Sequence, residues 1–338
     1  MKTIAVINLG PIGDVINASP VCIEIKKNYP DSRLIFVAAP ISEAAAKCLP
    51  GVDKVVTFDR YYKDKGIKVL KSALPLIFTE RIDVAFLLTD NLRSALFAFF
   101  AGARKIVGRN CDGRGIFLTH KMPFLDDEKN MEIHVSEQYM RVLKPLNLYN
   151  PDYIFGFDYS RDDELYIKNL IADTNYANTE LIGFCPCSSR EFKDWKPEEG
   201  AKFINFVNQN THYKIVIVGQ ENASDYAQKL KALGVDDFLD LSCKTTIPQL
   251  AALIDIFKKF VSVDSAPMHI AFSLEIPTLA LFFQPNYKKW GPYDLQKHKL
   301  MFDWSNIPAE RVCDEFASFI SGGSRHFYMV DDSDLTLP

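Results

Sequence analysis

Short, uniformly apolar runs alternate with segments of helical spacing along this sequence, and this pattern constrains the fold most. Five runs in the first half read as strands, at 3–8, 33–38, 54–58, 83–88 and 105–108. Strands that are apolar at every position are buried on both faces, which is typical of a parallel sheet with helices on both sides. The pattern therefore predicts an α/β fold with a doubly wound sheet.

The alternation stops and then resumes. Residues 148–164 hold Pro, Gly and several aromatics without a period, as an inter-domain linker would. A second set of strands is predicted at 181–187, 213–219, 238–241, 259–264 and 278–283. A chain of 338 residues is long for one core. We expect two Rossmann-like domains, 1–155 and 156–338, facing each other across a cleft, with the C-terminal helix a candidate to pack on the first domain.

The amino-acid composition limits the classes of partner that we expect for this protein. Lys and Arg number 39 against 43 Asp and Glu, a net charge of -4, so nothing global attracts nucleic acid and any basic site is local. No apolar run approaches the roughly 18 residues of a membrane span, and the N-terminus lacks the pattern of a signal peptide, so we expect a cytoplasmic protein. The seven cysteines are scattered, and the Cys185-x-Cys187 pair fits a buried strand better than a metal site.

The first polar loop is Gly10-Pro11-Ile12-Gly13-Asp14, directly after the first strand. Gly10 and Gly13 permit a tight turn and close approach of a ligand, but their spacing is not that of a dinucleotide or P-loop motif. Asp14 at the helix start has two interpretations. It is either a helix cap, which stabilises by about 0.5–2 kcal/mol, or a general base that takes a proton from a hydroxyl.

Two loops in the second half carry groups suited to a diphosphate. Ser188, Ser189 and Lys193 follow one strand, although a solvated loop with Trp195 as packing anchor would look similar. Asp264 and Ser265 end another strand, and His269 falls in the first turn of the next helix, whose amides could bind phosphate. A lone histidine is more often structural, so the combined D-S-x-P-x-H pattern is the signal here.

With these loops, the sequence resembles glycosyltransferase family nine, the ADP-heptose:lipopolysaccharide heptosyltransferases, along most of its length. The resemblance rests on Gly13-Asp14-Val15 with Pro20, on Ser188-Ser189 with Lys193-Asp194-Trp195, and on Asp264-Ser265-Ala266-Pro267-Met268-His269 with Pro277. Gly219-Gln220-Glu221 is similar to the Gly-x-Glu of the family's nucleotide pocket, and residues 108–122 to its acceptor-facing segment. Asn8, Gly10-Pro11 and Ala266 depart from the family pattern.

The resemblance implies a GT-B architecture without an obligatory metal or cofactor, in which the first domain binds the acceptor and the second an ADP-sugar. It makes Asp14 the base and Lys193 the cation that neutralises the leaving diphosphate. The implied donor-binding residues are Ser188, Ser189, Glu221, Asp264, Ser265, Ala266 and His269. The expected reaction is inverting transfer of a heptose or related sugar to a lipopolysaccharide-core-type glycan.

Acceptor recognition is expected to rest on basic residues of the first domain. Besides Gly10 and Gly13, the candidates are Arg93, Arg109 and Arg114, because guanidinium groups suit phosphorylated or acidic glycolipid cores. A solvated basic face is the alternative for each. Contact with the inner face of the cytoplasmic membrane, assisted by the aromatics of residues 60–65, is a further expectation.

Two other functions fit the same architecture. A nucleotide-sugar epimerase would need acid and base groups at the sugar and would make product without an acceptor. A non-catalytic two-lobed sugar-binding protein would bind sugar without dependence on a diphosphate.

Overall fold

The computed structural model describes residues 2–58 and 67–321, with the backbone alone for 67–72. Residues 60–65, expected to aid membrane contact, and the tail after Ser321 lie outside the described residues. The chain divides into two compact units, Met1–Asp158 and Tyr159–Pro338.

The first unit is built on one parallel sheet. Its strand order is β3-β2-β1-β4-β5-β6, so β1 lies in the middle between β2 and β4. The strands within the described residues are β1 (Thr3–Asn8), β2 (Arg33–Ala38), β3 (Lys54–Thr57), β4 (Val84–Leu87), β5 (Lys105–Arg109) and β6 (His120–Met122).

Helices connect these strands. Their apolar faces, with the inward side chains of the sheet, form a core that includes Ile7, Val37, Leu87 and Phe97. The described helices of this unit are α1 (Ile12–Ile16), α2 (Ser19–Asn28), α3 (Glu43–Lys47), α4 (Ile67–Thr79), α5 (Leu92–Phe100), α6 (Asp126–Lys129) and α7 (Val135–Arg141).

The second unit repeats this plan. Its parallel sheet has the order β12-β11-β10-β7-β8-β9, with β7 between β8 and β10. The described strands are β7 (Leu181–Cys185), β8 (Lys214–Ile217), β9 (Leu239–Asp240), β10 (Lys259–Val263), β11 (Thr278–Phe282) and β12 (Lys299–Phe302).

The helices of the second unit end with one that packs within the unit itself. Phe316 of this last described helix meets Phe203 of an earlier one, with ring centroids 5.3 Å apart. The described helices are α8 (Arg161–Ala172), α9 (Pro197–Asn210), α10 (Glu221–Ala232), α11 (Ile247–Asp255), α12 (Ala266–Ser273), α13 (Tyr287–Trp290) and α14 (Ala309–Ile320).

The predicted α/β class with doubly wound parallel sheets is confirmed, and two strands were missed. β6 and β12 are short strands at the ends of the strand orders, and among the described strands they pair with β5 and β11 respectively. Their sequences carry no distinctive run, so the pairing comes from tertiary contact. Cys185 and Cys187 are buried free thiols, as the core interpretation of that pair predicts.

Candidate functional site

The candidate residues follow the strands at which the strand order of each sheet reverses direction. In the first unit this point lies between β1 and β4, and in the second between β7 and β10. Ligands of open α/β sheets bind outside the carboxyl ends of the strands at such a switch point. Asp14 follows β1, Lys193 follows β7 and Asp264 follows β10, so each sheet has candidate residues at its switch point.

Asp14 lies in the first turn of α1, with its carboxylate folded over the loop. A Cβ added at Gly10 would lie 2.3 Å from Oδ2 of Asp14, so only glycine leaves the carboxylate in this place. The loop is tied by Asn8, whose Nδ2 donates to the Asp14 carbonyl at 3.0 Å while its Oδ1 accepts from the Gly10 amide at 3.0 Å. The fully buried Asn8 side chain thereby fixes the geometry of the turn.

Tyr139 of α7 lies next to this turn. Its hydroxyl interacts with Asn8. Burial raises the pKa of Tyr139 well above its usual range, and the nearby negative charge of Asp14 raises it further. The phenol therefore stays neutral and can donate a hydrogen bond throughout the physiological pH range.

A buried ion cluster stands beside the turn, at the end of β4. Asp90 accepts from Arg114 at 2.5 Å and from Arg109 at 3.3 Å, and Arg109 also pairs with Glu128 at 3.1 Å. Backbone carbonyls take further guanidinium hydrogens, those of Thr89 and Arg109 from Arg114 and that of Gln138 from Arg109. Arg109 and Arg114 thus meet Asp90 and Glu128, and Glu128 also lies 3.7 Å from Arg141, so every charge of the cluster has an opposite partner.

This cluster corrects the expected role of two arginines. The side chains of Arg109 and Arg114 are fully buried and already paired, so in this structure they offer no free guanidinium to an acceptor. They instead hold Asp90, whose carboxylate keeps some exposure at the strand end. Arg93, in the first turn of α5, is half-buried and remains an acceptor candidate, as do Gly10 and Gly13.

In the second unit the loop after β7 is fixed at both ends. Asp194 accepts from the Ser188 amide at 2.7 Å, and the Trp195 amide bonds to the Pro186 carbonyl at 2.9 Å. Trp195 is buried and donates its indole hydrogen to the Ile307 carbonyl. Trp195 is therefore a packing anchor, and the pinned loop holds Lys193 in place.

Lys193 meets Asp264 from the loop after the neighbouring strand. The ammonium nitrogen lies 2.5 Å from Oδ2 of Asp264, and His269 Nε2 lies 3.8 Å from Oδ1 of the same carboxylate. Burial lowers the pKa of His269 to about 4 against the opposing pull of Asp264. The imidazole is therefore neutral at pH 7, and the Lys193–Asp264 pair carries the local charge.

The hydroxyls of these loops differ in availability. The Ser188 hydroxyl donates to the Arg190 carbonyl at 3.0 Å and accepts from the Arg190 amide, so it shapes the turn, whereas Ser189 is exposed. Ser265 precedes α12 but turns toward the strands, with its Oγ 3.1 Å from Ser262 Oγ. Ala266 is the first residue of α12 and is half-buried.

Glu221 opens α10 after β8, the strand beside β7. Its side chain is exposed, and its neighbour Asn222 donates to the Ser188 carbonyl at 2.6 Å. The structure therefore brings Glu221 close to the loop that holds Ser188 and Lys193. Gly219 before it has a φ of 147° and leaves no room for a side chain, because a Cβ would meet that of Ala223 at 2.6 Å.

Five residues that build these sites received no structural role from the sequence, although Asn8 and Asp194 stood in its motifs: Asn8, Asp90, Glu128, Tyr139 and Asp194. Asn8 and Asp90 had a detectable signal, since each is a polar residue at the end of an apolar strand. Glu128 and Tyr139 reach the site from segments far along the chain.

Among the described residues, no three His, Cys, Asp or Glu side chains are grouped as a metal site would require. In the described part of the chain, no helix has the length and apolarity to cross a bilayer.

Curated relatives are similar to this chain over most of its length. Lipopolysaccharide heptosyltransferase 3 of Escherichia coli K12 is 26% identical over 297 residues, which cover 83% of this chain and 82% of the relative. Lipooligosaccharide heptosyltransferase 2 of Campylobacter jejuni (serotype O:6) is 25% identical and covers 89% of each chain.

Solved structures share the fold. A family 9 glycosyl transferase from Veillonella parvula superposes with a TM-score of 0.83 at 20% identity, over 95% of this chain and 97% of that one. A UDP-GlcNAc 2-epimerase from Neisseria meningitidis reaches a TM-score of 0.55 at 13% identity, over 95% and 92% of the two chains. The fold is therefore the GT-B fold, and it is nearer to the transferase than to the epimerase.

The model of glycosyltransferase family 9 (heptosyltransferase) matches residues 77–316, well over half of the chain. The match spans both units and includes Lys193, Asp264 and His269. With curated relatives that are themselves heptosyltransferases, it shows what kind of enzyme the chain is. The protein belongs to glycosyltransferase family 9 and is a glycosyltransferase.

Proposed function

We propose that this glycosyltransferase moves a heptose from ADP-heptose to a hydroxyl of a lipopolysaccharide-core glycan, with inversion at the anomeric carbon. Family membership and the names of the curated relatives support the sugar and the acceptor class. The first unit binds the acceptor and the second the nucleotide-sugar. The reaction takes place in the cytoplasm, at the membrane face that presents the acceptor.

The observation that carries the proposal is the place of Asp14. Its carboxylate is at the carboxyl end of a central strand, beside a switch point, and Gly10 gives it room. Asp14 is also not the N-cap of α1, because Pro11 holds that position. As general base, Asp14 would take the proton of the acceptor hydroxyl as it attacks. Such catalysis typically accelerates a reaction about 10²–10⁴-fold.

Lys193 would neutralise the negative charge that builds on the departing diphosphate. The Lys193 ammonium has three hydrogens, and Asp264 occupies one. The remaining two are available to phosphate oxygens, and the amides that open α12 add a second source of positive potential. Because negative charge on the leaving group is larger in the transition state, these donors lower the barrier as well as bind the donor.

On the acceptor side, Arg93 is the basic residue we assign to an acidic or phosphorylated group of the glycan core. Asp90 is the carboxylate that would accept hydrogen bonds from sugar hydroxyls. Its pairing with Arg109 and Arg114 holds it in place. In this scheme those arginines act on the acceptor through Asp90.

The test is a panel of nucleotides followed by product analysis. ADP and ADP-heptose should raise the unfolding temperature, whereas UDP and GDP at equal concentration should raise it little. With a heptose-deficient core glycan, the product should carry a new heptose with the opposite anomeric configuration by NMR. A preference for UDP-sugars, or conversion of a nucleotide-sugar without acceptor, would favour the epimerase instead.

A further inference from the structure

Helix α5 is apolar on its outward face as well as on its inward face. The side chains of Ala95, Phe97 and Ala98 fill the core of the first unit. On the other side, Leu92 is 40% and Phe99 52% exposed, while Leu96 between them is partly buried against the core. A surface helix normally carries polar residues on its outer face, so this face is suited to a non-aqueous partner.

Neighbouring elements extend the same surface. Phe78, in the last turn of α4, and Ile116, just after Arg114, are each 83% exposed. The ring of Phe117 joins Ile116 to the helix, since its centroid lies 5.3 Å from that of Phe99. We name as the α5 face the residues Leu74, Phe78, Leu92, Phe99, Ile116 and Phe117. Exposed apolar side chains grouped on neighbouring elements in this way mark an interaction site.

Exposed cations border the α5 face. Arg81 follows Phe78 by three residues, and the Arg104 and Lys105 amides bond to the carbonyls of Ile82 and Asp83 at 3.1 Å. The amide of Gly102, just before them, bonds to the Phe99 carbonyl at 3.0 Å. All three basic side chains are exposed. The backbone bonds place these residues together beside the ends of α4 and α5. Asp83, the acid among them, pairs with Arg104 at 3.4 Å.

Building on the proposed function at a membrane face, we propose that the α5 face rests on a lipid bilayer that contains anionic lipids. An apolar stripe with Phe and Leu side chains, bordered by Arg and Lys, matches a helix that lies in the plane of the membrane interface. A second copy of the chain fits less well. A two-fold dimer through this surface would set Arg81, Arg104 and Lys105 of both copies against each other.

The place of the α5 face within the first unit suits this role. Leu92 follows directly after Asp90 and Asn91, at the strand end where Asp14 also lies. The proposed membrane contact therefore begins beside the carboxyl edge of the sheet and runs along α5. It uses none of the residues assigned above to the chemistry, so it can be tested without any substrate.

The test is vesicle flotation of the full-length protein. Vesicles of phosphatidylglycerol and phosphatidylcholine should carry the protein upward, and vesicles of pure phosphatidylcholine should carry much less. Phe78→Glu/Ile116→Glu should lower the partition coefficient at least tenfold, while Ile154→Glu, at a 63% exposed residue outside the face, should not. Lys105→Gln should weaken binding about fivefold, the equivalent of about 1 kcal/mol.

Because Phe78 and Ile116 are so exposed, their replacement should leave the circular dichroism spectrum and unfolding temperature unchanged. Lys105→Gln keeps the test decisive if the double variant misfolds. Three results would overturn the proposal: wild-type protein that stays unbound on anionic vesicles, equal loss with Ile154→Glu, or a dimer by ultracentrifugation that Phe78→Glu/Ile116→Glu dissociates.

Discussion

The Lys193 ammonium lies 2.5 Å from the Asp264 carboxylate, although the two residues are 71 positions apart in the sequence. The pairing follows from the parallel pairing of β7 with β10, which brings their following loops to one edge. Both side chains are largely buried. Lys193, the cation assigned to the diphosphate, is thus already paired with the Asp264 carboxylate. A bound diphosphate must share the Lys193 ammonium with that carboxylate.

This pair should behave as a coupled unit toward ADP. Lys193→Ala should weaken ADP binding at least tenfold, because the buried Asp264 charge then faces the diphosphate alone. Lys193→Ala/Asp264→Asn should recover several-fold of that loss, within the 0.5–3 kcal/mol typical of directly contacting residues. Calorimetric titration measures both. Equal ADP affinity in the single and double variants would show that the pair is not coupled.

Gly10→Ala should separate the place of Asp14 from its charge. The added methyl would meet Oδ2 at 2.3 Å and Cβ at 2.5 Å, so the carboxylate must move. A displacement of about 1 Å can cost about 10²-fold in turnover, and we expect a loss of that order with ADP affinity kept. Turnover assays beside ADP titrations provide the measurement.

Gly113→Ala is the matched control for this change. Its methyl would meet no atom within 4 Å, so only the backbone strain of a φ of 69°, about 1–2 kcal/mol, is expected. Turnover of Gly113→Ala should stay near wild type. If Gly10→Ala is equally active, the position of Asp14 does not matter to the reaction.

Acid should destabilise the second unit through His298. Burial lowers the pKa of His298 to about 4, and its ring packs on Phe272 of α12 with centroids 4.7 Å apart. The unfolded chain binds the proton more readily, so the free energy of unfolding falls as pH drops from about 6.5 to 4. His269, whose pKa is also lowered to about 4, adds to the same trend.

His298→Leu should flatten this dependence by up to about 1.4 kcal/mol per pH unit. Urea unfolding at pH 7 and at pH 4.5 provides the comparison. Identical slopes for His298→Leu and wild type would mean that His298 titrates normally.

The sequence was sufficient for the layers and for most strands, because strands buried on both faces leave uniformly apolar runs. It also placed Asp14, Lys193 and Asp264 at strand ends, where the topology brings the last two together. What it could not supply was pairing. Arg109 and Arg114 look like free cations in the sequence, and their burial depends on Asp90 and Glu128, up to 24 positions away.

The same limit explains the missed strands. β6 is the three residues His120–Met122, two of them polar in character, and it is a strand only because β5 pairs with it. Asn8 illustrates the opposite case. Its buried side-chain amide bonds to Gly10 and Asp14, both close to it in the sequence, and so fixes the turn before Asp14.

The most direct measurement is steady-state heptose transfer by Asp14→Asn with ADP-heptose and a heptose-deficient core glycan. Our account predicts ADP affinity within about twofold of wild type and a kcat lower by about 10²–10⁴-fold. Asp126→Asn, also an acid in a first helical turn but with an 89% exposed side chain, should retain full activity. A near-normal kcat for Asp14→Asn would contradict the account and return Asp14 to a structural role.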